Sequence, residues 1–148
     1  MSTITEEQTV QTMEIRKDEM IDAPIEIVFQ AMLDELGPES RMPDGTSLAL
    51  KLEAWPGGRW FRDLGNNTGH LWGHVQVIKP PTLLEITGPM FMSYPVASHV
   101  QYRLTEKNGV TTLALSHQAF GPIDPKHREG VTMGWQDILT RIKARATK

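Results

Sequence analysis

One apolar stripe near the C-terminus limits the folds that are open to this chain. A helix is predicted to begin after Asp124, with Pro125 at its first position, where a proline costs no backbone hydrogen bond. Such a helix would run about 30 Å, the width of a small domain. A single helix cannot bury its own apolar face, so another element must cover it. The stripe consists of Val131, Trp135, Ile138, Leu139, Ile142 and Ala146.

Short predicted strands supply the covering element. Between residues 48 and 88, extended segments are separated by short breaks of Gly, Pro and Asn, a pattern typical of antiparallel meanders. Residues 99–106 and 110–120 flank "KNG" and form the clearest hairpin. A strand over 13–21 and a helix with Pro24 at its first position come earlier. The order predicts an α+β fold whose sheet wraps the C-terminal helix.

Size and charge exclude several classes of protein. A chain of 148 residues fits one domain, and we assign 1–12 to a flexible N-terminus and 13–148 to a single domain. The formal net charge of −3 gives no attraction for nucleic acid or an anionic membrane. No apolar run is long enough to span a bilayer. The absence of cysteine and of a secretory signal pattern predicts a cytoplasmic protein.

Several short motifs follow one another over roughly residues 13–144: "IDAPIEIVFQAM", "WPGGRWFRD", "GHVQVIKPPTLLEIT", "VTTLALSHQAF" and "EGVTMGWQDILTRIK". In this order they resemble the START-like (SRPBCC) superfamily, which has the helix-grip fold. The chain is most similar to the family of homologues of the activator of the heat-shock protein 90 ATPase. The resemblance implies a seven-stranded antiparallel sheet around the C-terminal helix, with an apolar cavity between them.

One segment departs from the family pattern. Residues 34–50, "DELGPESRMPDGTSLAL", stand where family members carry an acidic-proline turn followed by a tryptophan-rich stretch. This segment contains no tryptophan. The resemblance implies that it shapes the mouth of the cavity.

Two neighbouring residues in the C-terminal helix differ greatly in size. Gly134 costs about 1 kcal/mol relative to alanine in a helix interior, whereas Trp135 carries the largest side chain. Simple packing of a long helix is one explanation. In the other, Gly134 leaves room for the sheet or a bound molecule, and Trp135 forms a wall of the cavity. The sequence leaves both open.

Aromatic residues and methionines indicate where a ligand would bind. The segment "PMFMSYP" at 89–95 is either a lid over the cavity or part of the core, since methionine adapts to varied apolar shapes. Among the wall residues, His117 and Tyr102 are the predicted polar contacts. Strand parity and helix faces predict a wall of Phe29, Trp60, Phe91, Tyr102, His117 and Trp135.

The histidines predict neither a metal site nor a cofactor. In "GHLWGHV" the strand period of two places His70, Trp72 and His74 on one face. The two histidines would lie about 13 Å apart, too far for one metal unless the strand bulges at Gly73.

Catalytic residues are not indicated either. Ser116 and His117 are neighbours on a strand and point to opposite faces, and no nucleophile elbow, P-loop or dinucleotide fingerprint occurs. A cavity histidine or glutamate could still act as a general base. The sequence therefore favours a module without enzymatic activity.

Three functions remain, because the superfamily includes lipid carriers, cyclases, hormone receptors and co-chaperone domains. The leading prediction is non-enzymatic binding of a small hydrophobic or amphipathic molecule in the cavity between sheet and C-terminal helix. One alternative is a co-chaperone-like interaction module whose partner is a chaperone or other protein. The other is a cyclase- or hydrolase-type enzyme using the same cavity. The sequence indicates no oligomeric state.

Overall fold

A computed structural model describes residues 3–148 and shows an antiparallel seven-stranded sheet with a long C-terminal helix, which confirms the predicted helix-grip α+β fold. The strands lie in the order β1-β7-β6-β5-β4-β3-β2, so the first and last strands are neighbours. The elements are β1 (Gln11–Ile21), α1 (Ile25–Leu36), β2 (Leu50–Leu52), β3 (Arg59–Gly65), β4 (Thr68–Lys79), β5 (Leu83–Gly88), β6 (Ala97–Lys107), β7 (Val110–Gly121) and α2 (Pro125–Ala146).

The C-terminal helix α2 begins at Pro125, as predicted, and packs against α1 and β1. The Asp124 side chain caps it by accepting a hydrogen bond from the Lys126 backbone N–H at 2.9 Å. Ile138 departs from the predicted stripe because it is only half-buried. Helix α2 is turned so that Leu139 is fully buried, whereas Ile138 packs against the edge of the core and also borders the cavity. The buried residues are Val131, Trp135, Leu139, Ile142 and Ala146.

Helix α1 begins one residue later than predicted. Pro24 has an extended backbone (φ −62°, ψ 151°) and is therefore the cap residue, so that Ile25 is the first helical residue. At the other end, the Trp60 indole N–H donates to the Leu36 carbonyl at 2.7 Å. That bond satisfies a terminal carbonyl of α1 and fixes the end of the helix against β3.

Strand β2 is much shorter than the predicted segment 48–55. Ala49 has φ 52°, a left-handed conformation that prevents an extended strand from starting earlier. The chain leaves the strand after Leu52 and turns back at Gly58, where an added Cβ would lie 1.9 Å from the Glu53 carbonyl oxygen. Only glycine fits this close approach.

A bulge in β4 breaks the alternation that the sequence suggested. Trp60 pairs with Gly73 and Phe61 with Leu71, which leaves Trp72 as the extra residue. His74 is consequently exposed while Trp72 is buried, so the prediction that they share a face is wrong. Among residues 3–148, no group of three His, Cys, Asp or Glu side chains is placed to hold a metal ion.

The N-terminal segment lies outside the sheet. Residues 3–10 form no helix or strand and are exposed, while β1 begins at Gln11, two residues before the predicted start at 13. The flexibility of this segment and the division into one domain stay predictions. Neither helix within residues 3–148 is long and apolar enough to cross a membrane.

Candidate functional site

A cavity of about 1030 Å³ lies beside α2. Its other walls come from the end of α1, the segment that connects α1 to β2, the loop between β5 and β6, and the inner side of β3 and β4. Most of the wall is apolar, as Leu48, Trp60, Trp72, Phe91, Met133 and Ile138 illustrate. The atypical segment 34–50 contributes wall residues between Glu35 and Leu50, and its role in shaping the cavity mouth stays a prediction.

Helix α2 has a second face, which is directed at this cavity. The face carries Gly130, Met133, Gly134, Asp137 and Ile138, spaced three and four residues apart as on one side of a helix. A Cβ atom built on Gly130 or on Gly134 would meet no atom within 4 Å. The space beside Gly134 is therefore empty cavity and is not occupied by the sheet.

Trp135 both packs in the core and forms part of the cavity wall, the two roles that the sequence left open. Its side chain is 1 % exposed and belongs to the core, and it also borders the cavity. Its ring centroid lies 6.1 Å from that of Phe91, which lies 5.5 Å from Trp72. Trp72 in turn contacts Trp60 edge-to-face at 5.0 Å. These tilted and edge-to-face contacts form a continuous aromatic wall.

The loop between β5 and β6 lies partly in the core and partly at the edge of the cavity. Met90 is fully buried, whereas Phe91, Met92, Ser93 and Tyr94 border the cavity. The Tyr94 hydroxyl lies 3.1 Å from His127 Nδ1, and the two rings stack at 5.5 Å. This contact ties the loop to the first turn of α2.

The six side chains predicted for the cavity wall divide into two groups. Trp60, Phe91 and Trp135 border the cavity, and their contact with a ligand stays a prediction. Phe29, Tyr102 and His117 face inward as predicted but lie within the core and do not line the cavity. The rings of Tyr102 and His117 pack against Trp135, which separates them from the open space.

His117 is a hydrogen-bonded core residue. The Trp135 indole N–H donates to His117 Nδ1 at 2.9 Å, so the neutral ring carries its proton on Nε2, which lies 3.0 Å from Ser98 Oγ. Burial lowers the pKa of His117 to about 4. Protonation of Nδ1 would place two N–H groups face to face and break the bond to Trp135.

Acid should destabilise the protein through His117. The folded-state pKa of about 4 lies below the ordinary value of 6.5, so the unfolded chain binds more protons between these values. The free energy of unfolding should therefore fall as the pH drops below 6.5, by up to about 1.4 kcal/mol per pH unit. Urea melts of wild type and His117→Gln from pH 7 to pH 4.5 measure the effect. Parallel pH profiles for the two proteins would contradict it.

Two buried side-chain oxygens within residues 3–148 have no hydrogen-bond partner: Tyr102 Oη and Glu35 Oε2. Burial raises the pKa of Tyr102, so its hydroxyl stays protonated. Of the two, only Glu35 borders the cavity.

Among the described residues, the serines that border the cavity lack the neighbouring base that activates a nucleophile. Ser40 and Ser93 border the space, and within residues 3–148 neither hydroxyl is hydrogen-bonded to a histidine or a carboxylate. A serine nucleophile needs such a base within reach.

Sequence reasoning missed most of the face that α2 turns to the cavity. A signal for it exists, since Gly130 and Gly134 are four residues apart and together leave a gap among the side chains on one side of the helix. Trp72 was missed as a wall residue because the bulge in β4 is invisible to a period of two.

Comparison with solved structures shows the same fold in several bacterial proteins. A protein from Rhizobium leguminosarum is similar with a TM-score of 0.71 and 17 % identity, covering 96 % of this chain and 99 % of that chain. The Mll3558 protein from Rhizobium loti gives a TM-score of 0.70 and 20 % identity, covering 93 % and 99 %. CalU16 from Micromonospora echinospora gives 0.62 and 23 %, covering 93 % and 81 %.

A comparison with curated proteins finds no match. The family model described as "Activator of Hsp90 ATPase homolog 1-like protein" matches residues 22–147, nearly the whole chain. Together with the helix-grip architecture, this match shows that the chain belongs to the family of Activator of Hsp90 ATPase homolog 1-like proteins, in the START-like (SRPBCC) superfamily.

Proposed function

We propose that this protein binds a small apolar or amphipathic molecule in the cavity beside α2. The observation that carries the proposal is the space of about 1030 Å³ with a mainly apolar wall, left open at Gly130 and Gly134. Pockets for small molecules typically measure about 300–1,000 Å³. Water against such a wall is unfavourable, and an apolar ligand would gain free energy by replacing it.

The form of the cavity favours an elongated ligand. The wall residues of α2 run from Lys126 to Thr140, which corresponds to about 21 Å along a helix. Polar groups lie towards both ends, with Tyr94 and His127 at one and Glu35 and Asp137 at the other. Between them the wall is apolar, so an amphipathic molecule fits better than a purely apolar one.

The two alternatives have less support. The family description refers to activation of a chaperone ATPase, which is consistent with an interaction module, but a protein interface does not require an apolar cavity of this size. An enzyme would need a positioned base or nucleophile. The cytoplasmic location expected from the cysteine-free sequence remains part of the proposal.

Filling the cavity should abolish binding without unfolding the protein. Nile red, a neutral environment-sensitive dye, should bind with a Kd of about micromolar order and quench the tryptophans of the wall. Gly134→Leu should weaken binding at least about tenfold, because 1.4 kcal/mol of lost contact suffices for that factor. The Leu side chain enters open space, so the melting temperature should not fall.

Two control variants isolate the effect of volume. Gly134→Ala improves helix propensity with little loss of space, and should bind the dye almost as wild type does. Ala144→Leu adds nearly the same bulk, three carbon atoms against four, on an exposed part of α2 that does not border the cavity. Equal dye affinity in wild type and Gly134→Leu would refute binding at this site.

A further inference from the structure

Glu35 is the charged residue of the cavity wall that is buried most deeply. It is 7 % exposed, and its Oε1 accepts a hydrogen bond from Arg145 Nε at 3.0 Å. Its Oε2 is buried and has no partner among residues 3–148. Buried polar atoms are almost always hydrogen-bonded, so this unpartnered oxygen of a wall residue calls for a donor that residues 3–148 do not supply, and the carboxylate has to turn to meet one in the cavity.

The charge of Glu35 is already compensated. Arg145 also approaches Glu39, with Nη2 at 3.6 Å from Oε2, and Glu39 lies 3.8 Å from Arg41. The cluster thus contains two carboxylates and two guanidinium groups and has no net charge. Glu35 Oε2 lacks a hydrogen-bond donor, but the charges of the cluster are already balanced without a further cation.

We propose that Glu35 Oε2 accepts a hydrogen bond from a hydroxyl group of the ligand. This inference rests on the proposed function and adds the chemical class of the molecule, an amphipathic alcohol. Its hydroxyl lies at the end of α1, and its apolar body extends along the face of α2 that contains Gly134 and Ile138. The terminal torsion of a glutamate is broad, so the carboxylate turns towards the cavity at little cost.

Other head groups fit the cluster less well. An ammonium group would add a charge beside Arg41 and Arg145, which are already balanced. A carboxylate would bring an acceptor against an acceptor and repel Glu35. The hydroxyl of Ser40, which is 3 % exposed and also borders the cavity, offers a second partner for a ligand hydroxyl.

Contacts from both sides fix the position of Glu35 at the end of α1. Arg145 of α2 fixes one oxygen of Glu35, and the bond from the Trp60 indole to the Leu36 carbonyl fixes the end of α1. Only the terminal torsion of Glu35 then has to be fixed on binding, so little entropy is lost, which is the condition under which one hydrogen bond discriminates between ligands.

The test compares decanol with methyl nonyl ether, which has the same number of heavy atoms and lacks the hydroxyl donor. Displacement of Nile red from the wild-type protein should show decanol binding about tenfold more tightly than the ether. Decylamine and decanoate should bind more weakly than decanol. Equal affinity for decanol and the ether would overturn the proposal, as would tighter binding of the amine or the carboxylate.

Glu35→Gln should bind decanol and methyl nonyl ether with equal affinity. Arg145 would donate to the amide oxygen, so that the amide N–H₂ occupies the place of Oε2 and donates equally to an alcohol or an ether oxygen. Glu39→Gln is the matched control, because it makes the same change in the same cluster at a residue that is only partly buried, and decanol should still bind more tightly than the ether. If decanol still binds Glu35→Gln more tightly than the ether does, Glu35 is not the acceptor of the ligand hydroxyl.

Failure of this inference and failure of the proposed function are distinguishable. If dye and both probes bind, but equally, only the role of Glu35 is refuted. If neither the dye nor any probe binds the wild type, the cavity is not a ligand site. The wild-type comparison of decanol and ether stands on its own should Glu35→Gln fail to fold.

Discussion

Replacing Trp135 with alanine should lower the free energy of unfolding by about 3–5 kcal/mol, the usual cost of truncating a buried aromatic side chain. The indole is 1 % exposed and packs against Phe91, Tyr102 and His117. Its removal also takes the donor from His117 Nδ1. Urea denaturation followed by far-ultraviolet circular dichroism measures the change and does not depend on tryptophan fluorescence.

Trp135→Phe separates packing from hydrogen bonding. It keeps an aromatic ring between core and cavity but leaves His117 Nδ1 without its donor, which should cost about 1–3 kcal/mol. A loss below about 1 kcal/mol in Trp135→Ala would show that α2 is peripheral to the core and would contradict the arrangement described above.

The second large effect is expected at Leu139. This residue is fully buried, and Leu139→Ala should cost about 2–5 kcal/mol because the surrounding core cannot collapse fully into the space left behind. Ile138→Ala serves as the matched variant, since it removes a similar side chain from the adjacent position. Ile138 is half-buried and borders the cavity, so its loss should cost clearly less.

The comparison of these two variants measures the rotation of α2 about its own axis. Successive residues of a helix are about 100° apart, so Ile138 and Leu139 cannot both face the same direction. A larger loss for Ile138→Ala than for Leu139→Ala in urea melts would mean that α2 is rotated from the orientation in the structure.

The sequence predicted those parts of the fold in which one period holds over a whole element. In β1, Met13, Ile15 and Ile21 share one parity and are all buried. The hairpin at "KNG" forms because Asn108 (φ 53°) and Gly109 (φ 78°) both adopt the left-handed conformation that a tight turn requires. Local chemistry is sufficient to determine such features.

The candidate site was harder to predict. Strand parity predicts whether a side chain points inward, but not whether it reaches the cavity wall or lies behind it. Phe29, Tyr102 and His117 point inward like the wall residues Trp60 and Phe91, yet they lie behind the cavity. Nothing local distinguishes these two layers, since the difference depends on where α2 lies above the sheet.

Irregular segments account for the remaining differences between the predicted and the observed structure. The shift in β4 at Trp72 reverses which residues face inward, and the position of a bulge depends on how two strands pair. Ala49 delays the start of β2 with a positive φ that its residue type does not suggest. Most of segment 34–50 follows no hydrophobic period, and its contribution to the cavity arises from tertiary contacts.

The two faces of α2 have a consequence for how this protein can diversify. Substitutions at Gly130 and Gly134 change the size and shape of the cavity, while Leu139 and Ile142 on the core-facing side hold the helix in place. Effects of changes at sites without shared contacts are nearly additive. Selection can therefore alter the shape of the cavity, one methylene group at a time, without eroding the stability that keeps the variants folded.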